Sequence, residues 1–303
     1  MFWAFVRVQL ITIGNLLDLS FVILTWNSRS HIEPCLASIR SAMGSTAMDY
    51  EVLVLDNGSQ DGTVALLEEA ARSDARVKPF YRRANTGTTR SRNALLGVAQ
   101  GEFICVMDAD AYLRPGVCPL LMAYLRSDPG IGVVVPRVEY SDGRWQKSVD
   151  GFPTLQDKLR RLFRLRSIEA EEAVRFDGLR TPIPVDYAIS AFWLFRRQLL
   201  GAVGLLDECI FYAPEDVDFC LRVWQSGLKV VYVPTVSVVH HSQEISRGLR
   251  INRAKLRHVA GLLYYFRKHR YWLKRPRFSG QACEGGASRS SIEAADLEST
   301  GRR

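Results

Sequence analysis

From Leu19 onward, short, almost continuous apolar runs alternate with stretches in which apolar residues return every three or four positions. Runs at 20–25, 51–55, 77–81, 103–107 and 131–135 are rich in Val, Ile, Leu and Phe, too short for helices, and uninterrupted enough to be buried on both faces. They predict strands of a largely parallel sheet. The intervening spacing predicts helices, clearest at 64–71 and 91–99, with Pro115 and Pro119 marking the start of a helix running through Leu125. Strand–helix alternation of this kind gives an α/β fold with a central, mostly parallel sheet flanked by helices.

After Pro136 the alternation lapses. A basic stretch, DKLRRLFRLR at 157–166, reads as a surface helix or an interfacial face, in a region suited to binding an acceptor. A strand over 185–195, a helix after Pro214, and strands at 229–233 and 236–239 complete the body. Four segments follow: an apolar leader or interfacial segment (1–17), the α/β domain (18–245), a basic amphipathic helical extension (246–278), and a Gly/Ser/Ala/Glu-rich tail (279–303) with the composition of a disordered segment.

Charge sharpens this division. The net charge of +8 is concentrated at 247–277, which holds eleven Lys or Arg and no Asp or Glu, so the rest of the chain is slightly acidic. Within it, Leu256, Val259, Leu262, Leu263 and Phe266 recur at helical spacing. Two readings fit: a helix lying on an anionic membrane surface, or one packed on the core with a solvated basic rim. No nucleic-acid-binding motif is present. The six cysteines form no Cys-x-x-Cys pair, which argues for reduced thiols in a cytoplasmic setting and against a structural zinc site.

The candidate chemistry lies at element ends. Asp108-Ala109-Asp110 emerges from the strand 103–107, at the carboxyl edge where open α/β sheets bind ligands. Hard cations such as Mg²⁺ or Mn²⁺ take carboxylate and phosphate oxygens, so the pair can hold a metal; its competitor is a solvated loop with a helix cap. Glu215 and Asp216 open the helix after Pro214, where unpaired N–H groups and the positive dipole end favour a carboxylate. Asp216-Val217-Asp218 repeats the Asp-x-Asp spacing, with Asp218 and Arg222 four apart and predicted to form an ion pair. Thr25, Asn27 and Asp56 fall at neighbouring strand ends. Asp56 suits a nucleobase N–H or a ribose hydroxyl, or a buried turn. Asn85 and Arg92 flank the next helix start. His240 and His241 follow a strand, and one of them can complete a metal shell; adjacent strand residues point oppositely, so spacing does not choose between them. Neither Gly-x-x-x-x-Gly-Lys nor Gly-x-Gly-x-x-Gly occurs, so a phosphate would need another counter-charge.

In order, FVILTWN, VLDNGSQDGT, ANTGTTRSRN, GEFICVMDAD, FYAPEDVDFCLRVWQSGLKVVYVP and VVHHSQEIS resemble the family-2 inverting glycosyltransferases with the GT-A fold, especially the bacterial rhamnosyltransferase-like branch, from Asp18 to about Lys268. The resemblance implies a nucleoside diphosphate sugar donor (dTDP or UDP) surrounded by Thr25, Asn27, Asp56, Asn85 and Arg92. Asp108 would face the ribose or metal, and Asp110 and His240 would ligate the metal. Asp216 would be the base, with Glu215 orienting the acceptor. It also implies a glycan or lipid-linked acceptor in cell-envelope polysaccharide or glycolipid assembly, met at the cytoplasmic face of the inner membrane. Ser190 departs from the glycine common at that position, and the Gln-x-x-Arg-Trp motif of processive synthases is absent. Two rivals are a catalytically silent membrane-docking scaffold and a nucleotidyltransferase, which would release pyrophosphate.

Overall fold

A computed structural model describes residues 17–160, 174, 176–241 and 253–281. The 1–16 leader, most of the basic stretch after Arg160 and the tail from 282 lie outside the described residues. Strands β1 (Leu19–Thr25), β2 (Tyr50–Asp56), β3 (Val77–Tyr81) and β4 (Phe103–Asp108) pair in parallel in the order β3-β2-β1-β4. β10 (Phe192–Arg196) then runs antiparallel between β4 and β6 (Ile131–Glu139). β11 (Lys229–His240) lies parallel to β6 and carries the short antiparallel partners β5 (Ala111–Tyr112) and β8 (Ile183–Val185).

Two-residue periodicity divides the core. Phe21, Ile23, Cys105 and Met107 face a cluster with α1 (Ile32–Met43), α2 (Thr63–Ser73) and α4 (Val117–Ser127). Val22, Ile104 and Val106 face the other cluster, beneath α3 (Thr88–Leu96), α5 (Leu199–Val203), α6 (Glu215–Gln225) and α7 (Arg253–His269). Asp108 continues the even-numbered side of β4, so its carboxylate emerges on the face covered by α3 and α6.

Strands β1 to β4 and β6 and helices α2 to α4 form where the apolar runs place them, with ends shifted by a few residues. The second half differs. The expected strand at 185–195 is three pieces: β8, β9 (Tyr187–Ala188) and β10. β9 leaves the main sheet to pair with β7 (Val149–Asp150), and the polar Asp186 and Ser190 fall at the breaks. The two strands expected at 229–233 and 236–239 are one, β11, with a register shift between Val233 and Ser237 around Thr235, an exposed residue beside Pro234.

Candidate active site

Parallel register assembles the donor edge. Thr25 of β1 pairs with Asp56 of β2, and Leu24 pairs with Asp108 of β4, so three polar strand ends align at one rim. Asp56 is buried, and its Oδ2 accepts the Gly58 and Ser59 N–H groups at 3.1 and 2.9 Å. Its Oδ1 and the Thr25 hydroxyl have no hydrogen-bond partner in the protein. Buried orphan acceptors are uncommon and call for a donor such as a nucleobase N–H. The turn reading and the binding reading therefore use different oxygens of one carboxylate.

The other predicted donor-side residues tie loops together. Asn27 sits in the left-handed region (φ 51°), its Oδ1 accepting the Gln60 N–H at 2.9 Å while its own N–H donates to Ser59 Oγ at 2.7 Å. Asn85 Oδ1 accepts from Gly87 N–H and Asn57 Nδ2. Asn57, which the sequence did not single out, is the hub: its Oδ1 accepts from Thr86 N–H and Ser91 Oγ. Gly58 is needed here, since a Cβ at its φ of +84° would stand 2.8 Å from Ala84 Cα.

The metal-type cluster is Asp108, Asp110 and His240, whose ligand atoms all lie within 4.8 Å of one another. Pairing of β11 with β5 sets His240 opposite Ala111, which brings a residue 130 positions away in sequence to the Asp110 side chain. His240 Nε2 stands 3.3 Å from Asp110 Oδ1 and 3.7 Å from Asp108 Oδ2. Its Nδ1 meets Gln146 Oε1 at 3.2 Å; with that oxygen as acceptor, Nδ1 carries the hydrogen and Nε2 keeps its lone pair for the carboxylate side. His241 points elsewhere, its ring against Tyr112 and His31. Burial pushes the Asp108 carboxyl up despite Arg92. At His240 burial pulls the pKa down, but Asp110 and Asp108 outweigh it and hold it above the usual histidine value. Two carboxylates and an oriented imidazole, short of positive charge, fit Mg²⁺ or Mn²⁺ with positions left for phosphate oxygens.

Arg92 joins this cluster to the helix-start acids. Fully buried on α3, it donates from Nη2 to Asp108 Oδ1 at 2.5 Å and from Nη1 to Ser190 Oγ at 2.6 Å, with Nη1 3.4 Å from Glu215 Oε1. Ser190 Oγ in turn donates to Glu215 Oε1 at 3.1 Å. The hydroxyl at this position thus becomes part of the support for Glu215. Arg92, expected around the donor nucleotide, forms an internal bridge between the two acidic centres.

Glu215 and Asp216 start α6. Asp216 Oδ1 accepts the Val217 N–H at 2.8 Å. Burial, then the neighbouring Asp216 charge, pushes Glu215 up to about 8; burial pushes Asp216 up to about 6, opposed by the Val217 N–H, Lys158 and Arg92. Both carboxyls are thus raised, Glu215 further than Asp216, and the two titrate as a pair. Tyr212 is another group the sequence did not single out. Burial and the charges of Asp108, Glu215 and Asp216 push its hydroxyl up to about 12, which places it among these acids.

This fold belongs to a recognised class. Residues 20–204, more than half of the chain, match glycosyl transferase family 2, and the chain belongs to that family. It is 26% identical to the N-acetylglucosaminyl-diphospho-decaprenol L-rhamnosyltransferase of Mycobacterium tuberculosis, across 85% of this chain and 87% of that protein. It is 27% identical to the uncharacterized protein y4gI of Sinorhizobium fredii across 73% of this chain, but spans only 24% of that relative. Its fold matches the structure of GalNAc-T7 with UDP, GalNAc and Mn²⁺ at a TM-score of 0.61 and 18% identity, over 84% of this chain and 48% of that one. The architecture is thus the GT-A glycosyltransferase fold.

Proposed function

We propose that the protein is an inverting, metal-dependent glycosyltransferase that moves a sugar from a nucleoside diphosphate donor to an acceptor hydroxyl in cell-envelope polysaccharide or glycolipid assembly. The observation that carries the reading is the Arg92 bridge, which sets the Asp108–Asp110–His240 cluster and the Glu215–Asp216 pair on either side of one guanidinium. Rhamnose from dTDP-rhamnose is the donor favoured by likeness to the rhamnosyltransferase, and UDP-sugars are the alternative. The acceptor by the same likeness is lipid-linked, met by peripheral contact at the cytoplasmic face of the inner membrane.

Thr25 and Asp56 stand at the nucleobase end of the donor site. Asp108, Asp110 and His240 hold the divalent cation, which when bound supplies positive charge against the departing diphosphate. The acceptor oxygen forms its bond to the anomeric carbon as the carbon–phosphate-oxygen bond breaks, the electron pair leaving with the diphosphate. Asp216 takes the hydroxyl proton. A hydroxyl is far less acidic than an aspartate, so transfer accompanies bond formation and the in-line position of Asp216 matters most. Glu215, held by Ser190 and Arg92, orients the acceptor beside it. In this reading one domain, 18–245, carries all these groups, and the described part of the extension, 253–278, packs on it.

The test is turnover of purified protein with Mn²⁺, a panel of nucleoside diphosphate sugars and a short lipid-linked acceptor. Release of nucleoside diphosphate in step with product, and an anomeric configuration opposite to the donor's, is the expected result. Pyrophosphate release would transfer the reading to a nucleotidyltransferase. Absence of both turnover and donor binding would leave a silent scaffold.

A further inference from the structure

Helix α7 has two faces with different work. Successive residues turn by about 100°, so Arg257, Gly261, Tyr265 and Lys268 share one side. This side packs against the segment preceding Glu215. The Arg257 guanidinium lies 3.9 Å from the Phe211 ring centre, and a Cβ on Gly261 would overlap the Ala213 carbonyl oxygen. Tyr265 and Phe266 are buried, while Lys268 and His269 reach the Asp218 carboxylate at 2.6 and 2.8 Å. Leu256, Val259 and Leu263 lie on the opposite side, 61%, 53% and 54% exposed, on the same solvent side as exposed Arg267 and Arg270.

This outer ridge does not stop at the helix end. Trp272, stacked on Phe266 yet 41% exposed, and Leu273 add apolar surface beyond it. The Trp272 carbonyl accepts the Leu155 N–H at 2.8 Å, which brings in exposed Leu155 and Leu159. Lys158, in the same turn, is near enough to Asp216 to lower its pKa. The apolar surface therefore adjoins the mouth of the candidate active site. Arg267, Arg270, Lys274 and Arg277 are exposed at and beyond the helix end, so cations edge this part of the ridge.

We propose that the outer face of α7 is a docking surface for an anionic phospholipid bilayer. Exposed leucine and valine flanked by arginine, with tryptophan at the margin, is the chemistry that inserts shallowly among acyl chains while cations meet anionic headgroups. No described helix is long and apolar enough to cross a membrane, so this helix lies on the surface. The inner contacts of α7 to Ala213 and Asp218 then couple the docked helix directly to the turn that carries Glu215 and Asp216. The proposal rests on the lipid-linked acceptor reading for its purpose, and on the ridge itself for its evidence.

Flotation with phosphatidylglycerol-containing vesicles, against vesicles of phosphatidylcholine alone, tests it with the full chain. The protein is expected to float with the anionic vesicles only, and the combined Leu256→Glu, Val259→Glu, Leu263→Glu variant to lose flotation while keeping its Mn²⁺-dependent thermal shift with nucleotide sugar. Arg267→Gln with Arg270→Gln removes two surface cations without touching the ridge, and is expected to weaken vesicle affinity on the order of tenfold. Equal flotation with both vesicle types, none with either, or flotation unchanged in the triple variant would overturn the docking surface. Should the triple variant lose its thermal shift, an undiminished affinity in the double arginine variant would do the same. Nucleotide-sugar binding without flotation defeats the docking surface alone; flotation without nucleotide-sugar binding defeats the catalytic reading alone.

Discussion

The chain contains two Asp-x-Asp sequences close to the same centre, and they do opposite things. Asp108 and Asp110 leave the end of β4 in a short connection to β5, and both side chains converge on His240. Asp216 and Asp218 stand on α6, where two positions apart means about 200° of rotation, so they diverge. Asp216 turns to the cleft. Asp218 is fully buried behind it, its carboxylate shared by Arg222, Lys268 and His269. Identical spacing therefore yields a converging pair on a strand end and a diverging pair on a helix, one carboxylate part-exposed and the other buried as an anchor.

The sharpest way to break this comparison is at Asp216. If it is the base, Asp216→Asn should lower kcat by about 10³-fold while donor affinity stays near normal. The pH profile adds a sign. A base works deprotonated, and Asp216 is pushed up to about 6, so kcat should fall about tenfold per unit as pH drops below that value and level off above it. Initial rates at saturating donor across pH check both. Near-normal turnover in Asp216→Asn, or a rate that rises on acidification, would remove Asp216 from the chemistry.

Asp218 should fail differently. Replacing it with Asn leaves Arg222, Lys268 and His269 around a neutral group, at a cost of about 3–5 kcal/mol read from urea unfolding. Hydrogen bonds and the nearby cations hold the Asp218 carboxyl down at about 2 against the effect of burial. A depressed folded pKa gives stability that is fully present above the unfolded aspartate value, about 3.9, and is lost as pH falls from there towards 2. Asp218→Asn should flatten that acid limb. A variant as stable as the parent would mean that the α6–α7 contact anchors nothing.

These contrasts also show what a sequence can carry. β1 to β4 were legible because their apolar runs are nearly continuous, and the strand-end acids followed from the carboxyl-edge rule. The choice between His240 and His241 was not legible from spacing, because adjacent strand residues look alike until β5 pairs with β11; the family resemblance alone named His240. Nor was the stripe on α7: Leu256, Val259, Leu262, Leu263 and Phe266 read as one face, yet Phe266 is buried, Leu262 packs beside it, and the other three face out. Val259 and Phe266, seven residues apart, point the same way, so what separates them is the cover further along, where Trp272 stacks on Phe266. For Arg92 the family resemblance implies a place around the nucleotide. Only the fold shows that the guanidinium turns inward to Asp108 and Glu215.

The chelating pair makes smaller, graded predictions. Asp110→Ala removes one of two carboxylates and should weaken Mn²⁺-dependent donor binding on the order of a hundredfold, measured by isothermal titration with and without the ion; an unchanged affinity would end its role as a ligand.

Gln146→Leu is the finest probe, because the Gln146 side chain meets the imidazole on the side away from the carboxylates. Its Oε1 stands 3.2 Å from His240 Nδ1; leucine has similar bulk and no polar atom, so the ring loses that partner while the Asp108 and Asp110 carboxylates are untouched. The expected effect is about a tenfold rise in the Mn²⁺ concentration needed for half-maximal rate, with kcat at saturating Mn²⁺ nearly unchanged. A fall in kcat that extra Mn²⁺ does not restore would place Gln146 in the substrate site instead. Equal Mn²⁺ requirements in both proteins would show that the fold alone orients His240. The helix-borne pair should ignore the substitution, so the acid limb of unfolding set by Asp218 stays where it was.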